Sequence, residues 1–155
     1  MLAEVAARRQ RHVREDRCSR EPDDLVTPLL ECHTRIRTFS RLAEELGRRD
    51  DLTENEVIDA AHRCERYFSE ALPLHVEDEE QSLLPRLHGH QDDVDAALAT
   101  MQAQHLDHVQ QLSALLEALV ALRAQPNARH LRARLRAVAE PLAVDFEQHL
   151  ALENR

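Results

Sequence analysis

The sequence predicts an all-α protein, an antiparallel up-down-up-down four-helix bundle that follows an N-terminal arm. Only two of its 155 residues are Gly, none is Trp, and 43% are hydrophobic. Leu, Ala, Arg and Glu, which favour helices, are abundant, whereas β-branched residues are few. Apolar residues recur at helical spacing in four long segments, which short polar connectors separate. Long helices joined by short connectors favour antiparallel neighbours.

Residues 1–22 are charged and weakly patterned, so we expect an arm there and the bundle in residues 23–155. The first helix is predicted from Leu25 to Leu46, with His33 on its apolar stripe. Gly47 and the polar run after it should end this helix.

The second helix should open at Thr53, because Thr53 and Glu56 match a capping box. Its apolar stripe consists of Val57, Ala61, Cys64, Phe68 and Leu72. Pro73 lies inside the helix and predicts a kink there. Pro85 and Gly89 should end it.

The third helix should open at residues 92–95, where three Asp residues suit the positive end of a helix dipole. Its stripe consists of Leu98, Met101, His105, His108, Leu112, Leu115, Leu119 and Leu122. Asn127 can cap the fourth helix, in which Pro141 predicts a bend. The stripe of that helix consists of Leu131, Leu135, Val138, Leu142 and Phe146.

The composition argues against several classes of function. The formal charge is −9, whereas a nucleic-acid-binding surface would be basic, so no nucleic-acid partner is expected. No apolar run is long enough to span a bilayer or to act as a signal peptide. Cys18, Cys32 and Cys64 show no Cys-x-x-Cys spacing, which argues against a disulfide framework and fits a reducing compartment. We therefore expect a cytoplasmic protein without a membrane partner; the oligomeric state is not predicted.

The most informative pattern is a His followed four residues later by a Glu, which places imidazole and carboxylate one helical turn apart. It occurs at His75 and Glu79 and again at His149 and Glu153. About one such pair is expected by chance, so the pattern alone decides nothing. Both pairs, however, continue the apolar face of their helix, and single His residues lie on the same face of the other two helices. These are His33 and His105.

Six inward ligands on four helices predict one dinuclear metal site. Imidazole and carboxylate without thiolate suit iron, manganese or zinc, and mixed sites in bundle cores typically carry two iron ions. The alternative is a set of hydrogen-bonded core residues, but burying these groups without a metal would carry heavy desolvation costs. Apart from His108, which is discussed below, the other five His residues lack the pattern and are expected to be exposed. They are His12, His62, His88, His90 and His130.

The order of the six residues, together with the phrases LLECHTRI, LHVEDEEQSLLPRL and QAQHLDHVQQL, resembles the hemerythrin-like, or HHE cation-binding, domain over roughly residues 25–153. The resemblance implies a non-haem centre of two iron ions, oxo- or hydroxo-bridged. Glu79 and Glu153 would bridge the ions, and the His residues would bind terminally. It also implies dioxygen, or a related peroxide or nitric oxide, as the ligand, because in that family the diferrous centre takes up dioxygen as a peroxide.

Three further residues or groups have open roles. Oxygen-carrying hemerythrins have a second His one turn along the third helix, and here His108 follows at a three-residue offset. It could be a fifth imidazole ligand, a hydrogen-bonding partner of a ligand, or a core histidine. Glu153 lies near the end of a helix that can fray, so we expect it to be the least firmly held ligand. Phe39, Phe68 and Phe146 could line an oxygen pocket or only pack the core.

Other side chains near the site should be peripheral. We expect Tyr67 to be partly exposed and Glu80 to point off the site face into solvent. Cys32 and Cys64 should be buried small hydrophobic residues rather than redox switches.

The leading hypothesis is an oxygen-responsive di-iron protein that senses, scavenges or carries dioxygen, peroxide or nitric oxide. A di-iron oxidase or peroxidase acting on a small organic substrate is an alternative, and whether the protein is an enzyme stays open. Iron storage, including repair of damaged iron centres, is a third possibility. A metal-free helical interaction module is the fourth, and it requires the six polar residues to be satisfied by hydrogen bonds alone.

Overall fold

The computed structural model describes residues 26–153, and within this range the chain forms four long helices and no strand. Helix α1 spans Val26–Arg48, α2 spans residues 54–87, α3 spans Asp92–Ala124 and α4 spans Arg129–Glu153. The all-α class is therefore confirmed. The arm predicted for residues 1–22 lies outside the described residues. The packing described below belongs to the compact unit that begins at His33.

Cross-helix pairs show that neighbouring helices are antiparallel. Arg37, at the middle of α1, contacts Glu147, late in α4, with 3.0 Å between Nε and Oε1. Arg48, at the end of α1, contacts Glu140, earlier in α4, at 2.8 Å. The other neighbouring helices are also antiparallel, since residues that come later in one helix contact residues that come earlier in the next. The contacts are His33 with His75 and Phe39 with Tyr67 between α1 and α2, Glu65 with Arg123 and Glu80 with His105 between α2 and α3, and Gln111 with Asp145 and Glu117 with Arg134 between α3 and α4. The up-down-up-down order follows from these pairs.

The core is built mainly from Leu and Ala on the inner faces of the helices. Its most completely buried members include Ile36, Leu46, Val57, Phe68, Leu115, Leu119, Leu122, Leu135, Leu142 and Leu150. The predicted capping box is confirmed, because the Thr53 side chain accepts from the Glu56 amide while the Glu56 carboxylate accepts from the Thr53 amide. None of the helices within residues 26–153 combines the length and the apolar character that crossing a membrane requires.

Helix α2 changes register twice. Tyr67–Ala71 and Glu79–Leu83 are π-helical, and the rest of the helix is α-helical. Each π-helical turn is followed within two residues by a proline, Pro73 or Pro85. Proline has no amide hydrogen, and a wider turn before it lets a helix continue. At Pro73, where we predicted a kink, the structure thus shows a π-helical turn upstream.

The predicted ends of α1 and α2 are confirmed to within two residues, whereas the predicted cap of α4 is wrong. Helix α2 ends at Leu87, between Pro85 and Gly89, and the chain turns at Gly89, whose φ is +82°. Gly47 lies inside α1, where a Cβ would come within 2.9 Å of the Arg136 backbone, so close packing against α4 explains the glycine. Asn127 lies two residues before α4, and its amide donates to Glu54 at 3.4 Å.

Candidate metal centre

The structure brings together all six residues of the principal prediction. They are His33 on α1, His75 and Glu79 on α2, His105 on α3, and His149 and Glu153 on α4. Their side chains are between 0% and 5% exposed. Glu153, expected to be the least firmly held, is among the buried ones, with a side chain 2% exposed.

The ligand atoms fall into two groups, and the atoms of each lie within 4.8 Å of one another. The first, here called the His33 group, contains His33 and His75. The second, called the His105 group, contains His105 and His149. Glu79 and Glu153 belong to both groups. Two imidazoles and two shared carboxylates therefore surround each of two adjoining positions.

Each shared carboxylate directs one oxygen to each group. For Glu79, Oε1 lies 2.9 Å from Nε2 of His75, and Oε2 lies 3.3 Å from Nε2 of His105. For Glu153, Oε2 lies 3.0 Å from Nε2 of His33, and Oε1 lies 2.6 Å from Nε2 of His149. A carboxylate with its two oxygens so divided can join two metal ions.

The geometry suits metal coordination better than hydrogen bonding. Both carboxylate oxygens of Glu79 and of Glu153, and both ring nitrogens of His33, are buried without a hydrogen-bond partner among the described residues. They lie close together, but the N–H bonds do not point along the N···O lines. Buried polar atoms normally have a partner, so this convergence indicates a common centre such as a metal ion. The donor set, nitrogen and oxygen only, fits iron, manganese or zinc.

The two buried carboxylates, Glu79 and Glu153, require positive charge close to them. Burial alone would raise the pKa of Glu79, but the imidazoles of His105, His33 and His75 outweigh it and hold the pKa well below its usual range. At Glu153, burial alone would likewise raise the pKa, but the nearby imidazoles of His149 and His33 outweigh it and lower the pKa. Both carboxylates are therefore ionised at neutral pH, and protons or metal ions must balance them.

Two residues that the sequence analysis did not assign to the site hold the outer nitrogens of its imidazoles. Oε1 of Glu80 lies 3.1 Å from Nδ1 of His105, and Oε1 of Gln104 lies 2.8 Å from Nδ1 of His149. Glu80 was expected to point into solvent, and its side chain is indeed 43% exposed, yet it reaches His105. The prediction was therefore wrong about its contact. Helical periodicity predicts the direction in which a side chain leaves its helix, but not how far a long side chain such as Glu can reach.

His108 is buried but belongs to neither group. Its ring packs edge-on against Phe146 at 4.8 Å and against His149 at 5.2 Å. Burial, together with the neighbouring His149 and His105, lowers the pKa of His108 to about 4, so the ring is neutral at pH 7. This geometry favours a packing role beside His149 among the three roles considered.

An apolar cavity of about 210 Å³ adjoins the cluster. Its inner wall contains His75, His105 and His149, and the other lining residues are Ile36, Leu72, Pro73, Val76, His108, Val109, Leu112 and Phe146. Of the three Phe residues considered as lining, only Phe146 reaches this cavity. The volume is below the ~300 Å³ at which pockets for drug-sized ligands begin.

The remaining predictions about side chains are mostly confirmed. His62, His88, His90 and His130 are exposed, and His12 lies outside the described residues. Cys64 is fully buried, and burial raises the pKa of its thiol to about 12. Cys32 is partly buried. Tyr67 was expected to be partly exposed but is buried, because its ring stacks on Phe39 at 4.2 Å.

A helical bundle with two adjoining His and carboxylate groups defines a candidate cation-binding protein. Comparison with protein families agrees: the model of the hemerythrin HHE cation-binding domain matches residues 24–155. The chain belongs to this family. Searches of curated proteins and of solved structures found no match.

Proposed function

We propose that this chain is a non-haem di-iron protein that binds or reacts with dioxygen, or with peroxide or nitric oxide, in a sensing, scavenging or carrier role. The observation that carries the proposal is the division of Glu79 and Glu153 between the two groups, with one oxygen of each carboxylate facing each group. Two iron ions would supply the electrons that reduce dioxygen, and open coordination positions for small ligands.

The residues of the chain would act in three ways. The two buried carboxylates supply the negative charge that favours a pair of cations in a site of low polarity. The four imidazoles of the two groups are the terminal ligands. The apolar lining of the cavity would disfavour water and admit small apolar molecules to the face formed by His75, His105 and His149.

The size and lining of the cavity support a diatomic ligand more than an organic substrate. A volume of 210 Å³ equals about seven water molecules at ~30 Å³ each. Apart from imidazoles, the lining residues are apolar and would offer an organic substrate few groups for orientation. Iron storage is less compatible with the site, since ligand side chains at most 5% exposed do not favour easily exchanged metal.

Anaerobic loading with ferrous iron, followed by visible spectra during oxygenation and its reversal, tests the proposal. We expect a band that develops with oxygen and disappears when oxygen is removed, or a comparable change with nitric oxide. Spectral change accompanied by turnover of an organic substrate would favour the oxidase alternative. A chain that takes up no iron, or an iron-loaded chain whose spectrum none of these ligands alters, would overturn the proposal.

A further inference from the structure

We infer that the two halves of the metal centre bind metal with unequal affinity, the His105 group more tightly, and that Glu80 and Gln104 set this difference as positioning residues. The inference rests on the proposed metal centre. It concerns the outer nitrogens of the imidazoles, those that face away from the shared carboxylates.

Both imidazoles of the His105 group have an acceptor at Nδ1. The carboxylate of Glu80 lies 3.1 Å from Nδ1 of His105, and the amide oxygen of Gln104 lies 2.8 Å from Nδ1 of His149. Such acceptors fix the tautomer with the hydrogen on Nδ1, orient the ring and make Nε2 a better donor to a metal. In both rings it is Nε2 that faces the cluster, and the two Nε2 atoms are 3.1 Å apart.

In the His33 group, the ring of His33 lacks this support. Nδ1 of His33 is buried and has no hydrogen-bond partner among the described residues. The His33 ring makes an edge-on contact with His75 at 5.4 Å, which orients the ring but accepts no hydrogen. Nε2 of His33 is therefore not made a better metal donor by an acceptor at Nδ1, as Nε2 of His105 is by Glu80.

The two acceptors differ in charge. Glu80 brings a carboxylate, which polarises an imidazole more strongly than the neutral amide of Gln104. Glu80 comes from α2, next in sequence to the shared Glu79, whereas His105 lies on α3. The hydrogen bond between them thus holds the His105 ring from the helix that carries one of the shared carboxylates. Glu80 is therefore the residue whose removal should distinguish the two halves.

Titration of the metal-free full-length chain with Co²⁺, followed by calorimetry and visible absorption, tests the inference. We expect two successive binding steps with affinities at least about tenfold apart. The Glu80→Ala variant should weaken the tighter step by about 10–100-fold and shift the absorption band of the first cobalt ion, with little change in the second step. Glu80→Gln keeps an oxygen acceptor without charge, so it should lose less.

Glu70→Ala is the matched control, since Glu70 lies on the same helix, is 64% exposed and pairs with Arg66. It should leave both steps unchanged. Two equal steps, or equal weakening of both steps by Glu80→Ala, would overturn the inference while leaving the metal centre in place. A wild-type chain that binds no cobalt and no iron would overturn the proposed function as well. The melting temperature of the metal-free variants shows that they fold.

Discussion

At the residue scale, the charge of the centre depends on Glu79 and Glu153. Both side chains are almost fully buried, and nearby imidazoles hold the pKa of each carboxyl below its usual range. Without metal, protonated imidazoles balance these charges. Metal binding then replaces protons with cations, so affinity for metal depends on pH.

His33 makes this dependence testable. Burial would lower the pKa of His33, but the adjacent carboxylates of Glu153 and Glu79 outweigh it and raise the pKa to about 9. His33 therefore carries a proton at pH 7, and if it is a metal ligand it must release that proton when metal binds. A raised pKa also means that this ion pairing stabilises the metal-free protein fully below pH ~6.5 and is lost as pH rises through about 9.

We expect Co²⁺ affinity of the wild type to increase from pH 7 to pH 9 and to level off above it. Calorimetric titrations in buffers of different ionisation enthalpy would measure at least one proton released per chain at pH 7. The His33→Asn variant should release fewer protons in the same window. Affinity that is constant between pH 7 and pH 9 would contradict this explanation.

Sequence reasoning identified the inward residues of the centre but missed the residues that hold them. His75 and Glu79 are found from the period of the helix, because helical phase determines which side chains face the core. Glu80 and Gln104 are neighbours of core residues on partly exposed faces, and only the distance between helices shows that they reach His105 and His149. A sequence pattern within one helix carries no information about the distance to the neighbouring helix.

At the element scale, Arg132 connects the two loops at the end of the bundle away from the centre. This buried side chain of α4 donates to the backbone carbonyl of Arg49, between α1 and α2, and to that of Pro126, between α3 and α4, the second at 3.2 Å. One guanidinium thus satisfies carbonyls from both connectors. Because these contacts lie far along the helices from the ligands, they stabilise the fold without contributing to the site.

Replacement of Arg132 by Ala should lower the free energy of unfolding by about 1–3 kcal/mol, because the buried Pro126 carbonyl loses its donor. Urea denaturation measures the change. Arg134→Ala is the control, since Arg134 is exposed and its ion pair among the described residues is with exposed Glu117. Such a pair contributes less than about 1 kcal/mol. Equal losses in the two variants would show that the Arg132 contacts are unimportant.

The lengths of the helices were predictable from the sequence, but the π-helical turns inside α2 were not. Apolar periodicity and the capping box at Thr53 locate the segments. The π-helical turns before Pro73 and Pro85 depend on packing against other helices, because a proline can equally end, kink or widen a helix. From the sequence alone, Gly47 indicates the end of a helix. In the structure it also lets α1 approach the backbone of Arg136 closely.

At the scale of the whole molecule, the centre ties the four helices together, because each contributes at least one ligand candidate. Metal that binds only the folded chain should therefore stabilise it. At a free metal concentration 100 times the dissociation constant, the stabilisation is about 2.7 kcal/mol. For a chain of this size, that corresponds to a rise in melting temperature of about 5–10 °C.

The His75→Ala variant should lose most of this metal-dependent rise and show a smaller change in its metal-free form. Calorimetric melting with and without metal measures both quantities. His62→Ala, an exposed His on the same helix, should retain the full rise. If His75→Ala melts like the wild type in the presence of metal, His75 is not a ligand.

The metal content of the iron-loaded chain tests the central claim most directly. If Glu79 and Glu153 are shared by two metal positions, elemental analysis should find two iron ions per wild-type chain. The count should also be two in Glu147→Gln, which alters an exposed residue of the same helix. Glu153→Gln removes a ligand charge from both positions and should leave fewer than one ion per chain. One ion or none in the wild type, or two in Glu153→Gln, would contradict the shared dinuclear centre.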